Sequence, residues 1–373
     1  MDVGPTTSGG SDSSSFINEK ENETTILEFI LIGLANRPDL QPFLFLFFLM
    51  VYLVTMTGNI LIILLVVADH HLHIPMYLFL GNLSCLEMCY SSVILPKMLV
   101  NVLSGQRSIS FNGCMVQLYL FGSCVGIETY LLAAMSYDRF LAICRPLHYS
   151  SIMNAKFSFQ LIIGVWIGSL LANCITVSLM ANLTFCGPNI IHHYFCDLLP
   201  IKELSCSDTR LIELVTSLLT FIFTVTPFLL TLTSYIFIII TILKITSATG
   251  RQKAFSTCSS HLMIVCLFYG TLIIVYMLPD APTLKDMNKI FSIFYTVLTP
   301  LINPLIYSLR NQEVQKALQR VRCKVIQFGR IFDLQNLEQS LVIGRNHLNK
   351  EWLQKELSES ELSKLSKPTV KIP

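Results

Sequence analysis

Seven stretches of this chain are each long and apolar enough to cross a lipid bilayer, and that recurrence limits the fold more than any other feature. They cover residues 42–68, 75–99, 114–139, 157–180, 211–245, 253–278 and 288–309. A hydrocarbon core of about 30 Å takes roughly 20 residues of helix. Inside it, backbone polar groups are satisfied only by helices or closed barrels. A barrel would alternate polar and apolar residues in segments of about ten, and these stretches do not alternate. Of the 373 residues only 13% are charged, against about 25% in a globular domain. The second and third stretches are the least purely apolar, so a count by hydropathy alone can return six. The chain reads as an all-α membrane protein with seven transmembrane helices.

The spans divide the chain into a polar N-terminal tail (1–41), the membrane domain (42–309), a short juxtamembrane segment (310–324) and a long C-terminal tail (325–373). Residues 1–20 are rich in Gly, Ser and Thr and lack a basic region followed by a short apolar run, so the first span is expected to act as its own insertion signal. Asn22 opens the sequon Asn22-Glu23-Thr24, an acceptor for glycosylation. Orientation follows from basic residues flanking the spans. With the N-terminus outside, Arg139, Arg145, Lys156, Lys244, Arg251, Lys253, Arg310, Lys316, Arg320, Arg322 and Lys324 are cytoplasmic. The expected location is the plasma membrane, with the C-terminus inside.

Of twelve cysteines, Cys114 opens the third span, and Cys186, Cys196 and Cys206 crowd the loop after the fourth. Four cysteines on one oxidising face imply two disulfides, with three connectivities open. Cys85, Cys89, Cys124, Cys174, Cys258 and Cys266 lie inside spans and read as packing residues. No metal site is expected. His70–His73 reads as an exposed cluster, and the ligand-like spacing of His193, Cys196 and Asp197 fails if Cys196 is oxidised. Nor does the chain carry a phosphate loop, paired metal motif or nucleophile constellation, so it is not expected to be an enzyme.

A set of motifs is more specific. In order come Gly58-Asn59, PMYLFLGNLS (75–84), LPKML (95–99), MSYDRFLAICRPLHY (135–149), Ser234-Tyr235, KAFSTCSSHL (253–262), FYG (268–270) and TPLINPLIYSLRN (299–311). Together they resemble the odorant-receptor branch, tetrapod class II, of the rhodopsin-like G-protein-coupled receptors, over about residues 28–324. The resemblance implies a seven-helix bundle with a short amphipathic eighth helix. It implies a small, volatile or apolar ligand taken from outside, and a heterotrimeric G protein of the stimulatory, olfactory type that raises cyclic AMP. Membrane lipids complete the expected partners, and no nucleic acid is expected. It further implies the pairings Cys114–Cys196 and Cys186–Cys206, with the loop 185–208 acting as a lid.

Intramembrane carboxylates are costly and mark function by default. Glu87 and Glu128 lie midway along the second and third spans, with Asn59 and Asn303 at comparable depth in the first and seventh. Two carboxylates in one dry site cannot both stay charged without a cation. The four residues are therefore expected to form a central polar cluster that holds a sodium ion or shares a proton; the alternative is that each acid is protonated and merely ties helices together. No other cofactor is expected. Related receptors usually carry an aspartate in place of Glu87.

By resemblance, Asp138 and Arg139 form an ionic switch in which Asp138 holds Arg139 at rest. Once freed, Arg139 contacts Tyr235, Tyr307 and the G protein, and Asn303, Pro304 and Tyr307 belong to the same machinery. Pro227 and Pro304 are the expected hinges. The implied ligand residues are Phe121, Gly122, Val125, Gly126, Leu219, Thr220, Phe223, Tyr269, Leu272, Ile273, Tyr276, Ile293 and Thr296, between the third, fifth, sixth and seventh spans. None is charged, which suits a neutral compact ligand and leaves amines and acids without a counter-ion. Gly122 and Gly126 either make room for ligand or let helices pack closely. Residues 310–324 read as an amphipathic helix on the inner surface, with Cys323 placed for acylation. Two rival functions stand beside this one. A non-olfactory rhodopsin-like receptor for a lipid or other small ligand shares every switch residue, whereas a transporter is expected to show repeats, which are not visible.

Overall fold

A computed structural model describes residues 27–33, 38–277, 282–311, 313–323, 326–327 and 355. The Asn22 sequon and almost all of the 325–373 tail lie outside the described residues. Long helices dominate: α1 (Gln41–Ala68), α2 (Pro75–Ser104), α3 (Phe111–Cys144), α4 (Ala155–Ala181), α5 (Arg210–Leu243), α6 (Ala248–Met277) and α7 (282–310). Local chemistry sets their ends. Proline occupies the first turn of α1 and α2, where its missing N–H costs nothing. Gly105, at φ 66°, closes α2 in the left-handed region. Ser110 caps α3 by accepting from Gly113 N at 3.2 Å, and Asn154 caps α4 by accepting from Phe157 N at 2.9 Å.

Among the described residues, six helices are long and apolar enough to span a membrane, namely α1 to α5 and, within α7, Met287–Tyr307. The one that falls short is α6, not α2 or α3 as the sequence suggests. Its apolar stretch is only His261–Tyr276, because the helix begins with the polar run ATGRQKAFSTCSS. Around α1 and α4 large apolar side chains point outward: Phe43 is 67% exposed, Leu46 64% and Leu171 62%. Such a belt would drive aggregation in water and is what lipid contact requires. The chain is a multi-pass membrane protein. At its centre stands α3, which packs on α2, α4, α5 and α6; its apolar window is 67% buried, against 22% for α4.

One departure from an all-helical fold lies at the end of the bundle where α3 begins. There β1 (Glu28–Leu31) pairs antiparallel with β2 (Ser108–Ser110) and parallel with β3 (Ile190–Ile191). Alternation is visible in β1, whose Phe29 and Leu31 are buried while Glu28 and Ile30 are exposed. The strand clamps two loops together, and Asn189 Nδ2 donates to Glu28 O at 2.7 Å across it.

Two helices contain a π-helical turn, Phe221–Val225 in α5 and Phe294–Leu298 in α7. Each turn is followed by Thr-Pro. Proline has no N–H to give and crowds the carbonyl four residues back, so the ladder slips by one residue. In both turns the threonine hydroxyl donates to the phenylalanine carbonyl five residues earlier, Thr226 to Phe221 at 3.2 Å and Thr299 to Phe294 at 3.0 Å. The break in α7 thus precedes Pro300 rather than the expected hinge Pro304, which sits inside Thr299–Arg310. At the opposite end of the bundle from the sheet, residues 313–323 are helical. They are tied to the α1–α2 loop by Arg320, whose Nη2 and Nε lie 2.7 and 2.8 Å from Asp69 Oδ2. Those contacts and two from His71 outweigh burial and lower the Asp69 pKa to about 2.

Candidate functional site

The loop between α4 and α5 folds inward at the sheet end. Cys114 and Cys196 form a disulfide that ties it to the start of α3, and Cys186 and Cys206 form a second within the loop. Tyr194 and Phe195 are buried plugs. Phe195 meets Phe121 at a ring separation of 4.7 Å, and the Tyr194 hydroxyl bonds Thr296 Oγ1 at 2.8 Å. Gln117 on α3 serves both sides, accepting from Cys196 N at 2.9 Å and donating to Val93 O at 2.9 Å. His193 and Asp197, spaced like metal ligands, face different partners. His193 Nε2 bonds Ser292 at 3.3 Å, and burial pushes its pKa down to about 3, so the ring is neutral.

Beneath this lid lies a cavity of about 130 Å³. An apolar cavity of roughly 150 Å³ accommodates benzene, so the space suits a molecule of that order. Of the thirteen expected ligand residues, Phe121, Gly122, Val125, Gly126, Leu219, Thr220, Phe223, Leu272 and Tyr276 line it. Tyr269, Ile273, Ile293 and Thr296 do not. Tyr269 is buried, with its hydroxyl donating to Thr129 O at 2.7 Å, and Thr296 donates to Ser292 O at 2.6 Å. The cavity therefore sits between α3, α4, α5 and α6, without the expected wall from α7.

Sequence reasoning missed Leu118, Ala172, Asn173, Thr176, Leu198, Thr216, Thr224 and, above all, Asp197. Ser169, Asn173 and Thr176 follow helical spacing in an apolar span, a signal that marks the inward face of α4. Asp197 overturns the expectation that no carboxylate reaches the site. Only 3% exposed, it accepts from Leu198 N at 2.7 Å and from the Tyr276 hydroxyl at 2.9 Å on each oxygen. Burial raises its pKa to about 6. The two glycines serve both roles considered for them. They line the cavity, yet a methyl on Gly122 would collide with Asn173 Oδ1, and one on Gly126 would stand 2.9 Å from Ser169 Oγ, so they also bring α3 against α4.

Midway down the bundle are Asn59, Glu87, Glu128 and Asn303, each 2% exposed or less. Asn303 Nδ2 donates to Glu87 Oε1, and Asn59 Nδ2 donates to Thr55 O at 3.0 Å and Pro300 O at 3.4 Å. The Gly58-Asn59 pair explains itself here: a methyl on Gly58 would lie 3.0 Å from Pro304, so glycine lets α1 and α7 touch where Asn59 reaches across. Each of the four residues keeps one oxygen without a hydrogen bond, namely Asn59 Oδ1, Glu87 Oε2, Glu128 Oε1 and Asn303 Oδ1.

At the far end of α3, Asp138 accepts from the Tyr149 hydroxyl at 2.8 Å. The Arg139 charge also acts on this carboxylate, but among the described residues the two form no direct ion pair, since successive helix residues point about 100° apart and do not face each other. Arg139 is half-buried, its Nε has no hydrogen-bond partner, and its charge acts on Tyr235, His261 and Tyr307. Tyr235 is bonded instead to His261 Nδ1 at 2.5 Å, and the Tyr307 hydroxyl is unpartnered.

A family model described as "Olfactory receptor" matches residues 48–325. The chain is similar to Olfactory receptor 10A7 of Homo sapiens, 48% identical over 82% of this chain and 98% of that protein. Olfactory receptor 5G9 of Mus musculus is 48% identical over 82% and 97%, and Olfactory receptor 1f45 of Rattus norvegicus 46% over 80% and 96%. These proteins form a family of receptors, not enzymes. With the membrane bundle, the lidded cavity and the MSYDRFLAICRPLHY segment at the opposite end of α3, the chain belongs to the olfactory receptor family.

Proposed function

We propose that this chain is an odorant receptor that takes a small, mostly apolar ligand into the cavity under the lid and activates a stimulatory, olfactory-type G protein, raising cyclic AMP. The observation that carries the reading is the layout of α3. One rigid helix lines the ligand-sized cavity with Phe121, Gly122, Val125 and Gly126 and ends in Asp138 and Arg139 at the other face. The lid end faces outside the cell, where its two disulfides persist, and the Arg139 end faces the cytoplasm. Expressed in cells that report cyclic AMP, the chain should respond to members of a panel of small volatile compounds. A receptor stained at the cell surface yet silent to the whole panel would refute the reading.

The unpartnered oxygens of Asn59, Glu87, Glu128 and Asn303 support a site for a sodium ion or for shared protons, because oxygens left bare in lipid each cost about 1–3 kcal/mol. Glu87 and Asn303 would hold the ion from α2 and α7, with Glu128 completing the set from α3. Glu128→Gln removes the ionisable group at constant shape. It should change basal cyclic AMP or abolish any dependence of ligand potency on sodium, and an unaltered response at every sodium concentration would retire the site.

A further inference from the structure

One polar group on the cavity wall carries an inference that goes beyond the receptor reading, on which it rests. Several of its polar neighbours already have a donor committed elsewhere. Thr176 donates to Ala172 O at 3.3 Å, Thr216 to Ile212 O at 2.7 Å and Asn173 Nδ2 to Ser169 O at 3.0 Å, each within its own helix. The Tyr276 hydroxyl is spent on Asp197. Thr220 and Thr224 add hydroxyls that can donate or accept, and Asp197 is the only charged side chain among the described lining residues.

A carboxylate offers about four acceptor sites, whereas Asp197 receives Leu198 N and one tyrosine hydroxyl. Among the described residues no cation pairs with it. We infer that the cavity recognises its ligand through a hydrogen-bond donor, a hydroxyl or a protonated amine, delivered to the Asp197 carboxylate. Ligands carrying only acceptors leave that carboxylate undersatisfied, and ligands that are themselves carboxylates meet a like charge in a dry site.

The test uses the full chain in the cyclic AMP assay. Its probes are matched sets of small aliphatic compounds, each set built on a single carbon skeleton that bears a primary amine, a hydroxyl, a methyl ether or a carboxyl group. Charge-assisted hydrogen bonds set the scale of the effect: amines or alcohols should outperform the ether of the same skeleton by roughly tenfold or more in potency, with the acids weakest. The two donor arms separate cation recognition from hydroxyl recognition.

Asp197→Asn keeps Oδ1, the oxygen that accepts from both Leu198 N and the Tyr276 hydroxyl, so folding is preserved. It should cut amine potency by about tenfold while improving the ether or the acid. Tyr276→Phe removes the competing donor and should leave amine and alcohol potency intact or higher. If Asp197 acted only as a brace for Tyr276, the two variants would lose potency alike. That result, or ethers and acids matching the donors on the wild-type receptor, overturns the inference and leaves the receptor reading standing. Silence of a surface-expressed receptor toward every set overturns both.

Discussion

Arg139→Ala should abolish ligand-driven cyclic AMP while leaving the amount of receptor at the cell surface near the wild-type level. The two halves of that result have separate physical causes. Arg139 holds little of the resting fold together: it is half-buried, its Nε has no partner, and Asp138 is satisfied by Tyr149 instead. Removing it takes a nearby cation from the buried Asp138 but leaves that carboxylate its hydrogen bond from Tyr149, so the charge is not stranded without a partner. On the proposed function, the same guanidinium is the group that supplies charged hydrogen bonds to an inserted G-protein segment, in company with Tyr235 and Tyr307. Deleting one member of a desolvated charged contact costs about 2–5 kcal/mol, enough to push coupling below detection. Potency and surface staining, measured on the same cells, separate these effects. Normal signalling at normal expression would remove Arg139 from the coupling role, and loss of surface receptor would make it a structural residue.

How much of this arrangement is legible in the sequence depends on whether a regular period carries it. The spans are legible because lipid imposes a length and an apolar composition on any helix that crosses it. Gly58, Asn59, Glu87, Glu128 and Asn303 stand out as small or polar residues in apolar helices, and the four polar ones are all buried midway down the bundle. Residues on α3 and α5 reach the cavity wall as the resemblance implies, Phe223 among them from within the π-helical turn of α5. On α7 the resemblance does not carry over to this cavity: Ile293, just before the π-helical turn at Phe294–Leu298, and Thr296, within it, do not line the wall, and Thr296 is bonded to Tyr194 of the lid and to Ser292 instead. Asp197 is illegible for a different reason. It lies in a loop without period, and only the path of the lid, fixed by Cys114–Cys196 next to it, brings its carboxyl over the cavity. The contact between Asp138 and Tyr149 likewise links a helix to the loop beyond it, which no periodic pattern encodes.

Replacing Cys196 or Cys114 by Ser should have the largest effect on folding of any single change outside the transmembrane core. The bridge joins residues 82 positions apart in the chain, and a loop of that size corresponds to roughly 4.5 kcal/mol of denatured-state entropy in the chain-entropy account. Total stabilities run to only about 5–15 kcal/mol. The loss is not confined to entropy. Freed from α3, the 194–197 segment would give up the Phe195–Phe121 contact, the bond from Cys196 N to Gln117 and the position of Asp197 over the cavity. Surface receptor should therefore fall several-fold, and the fraction that does reach the surface should show weakened ligand potency. Cys186→Ser with Cys206→Ser makes the informative comparison, since that bridge closes a span of only 20 residues inside the lid and touches none of the plug. Its removal should lower expression less and alter potency less. If both disulfide variants behaved alike, or if Cys196→Ser left expression and potency unchanged, the lid would not be what holds the cavity in shape.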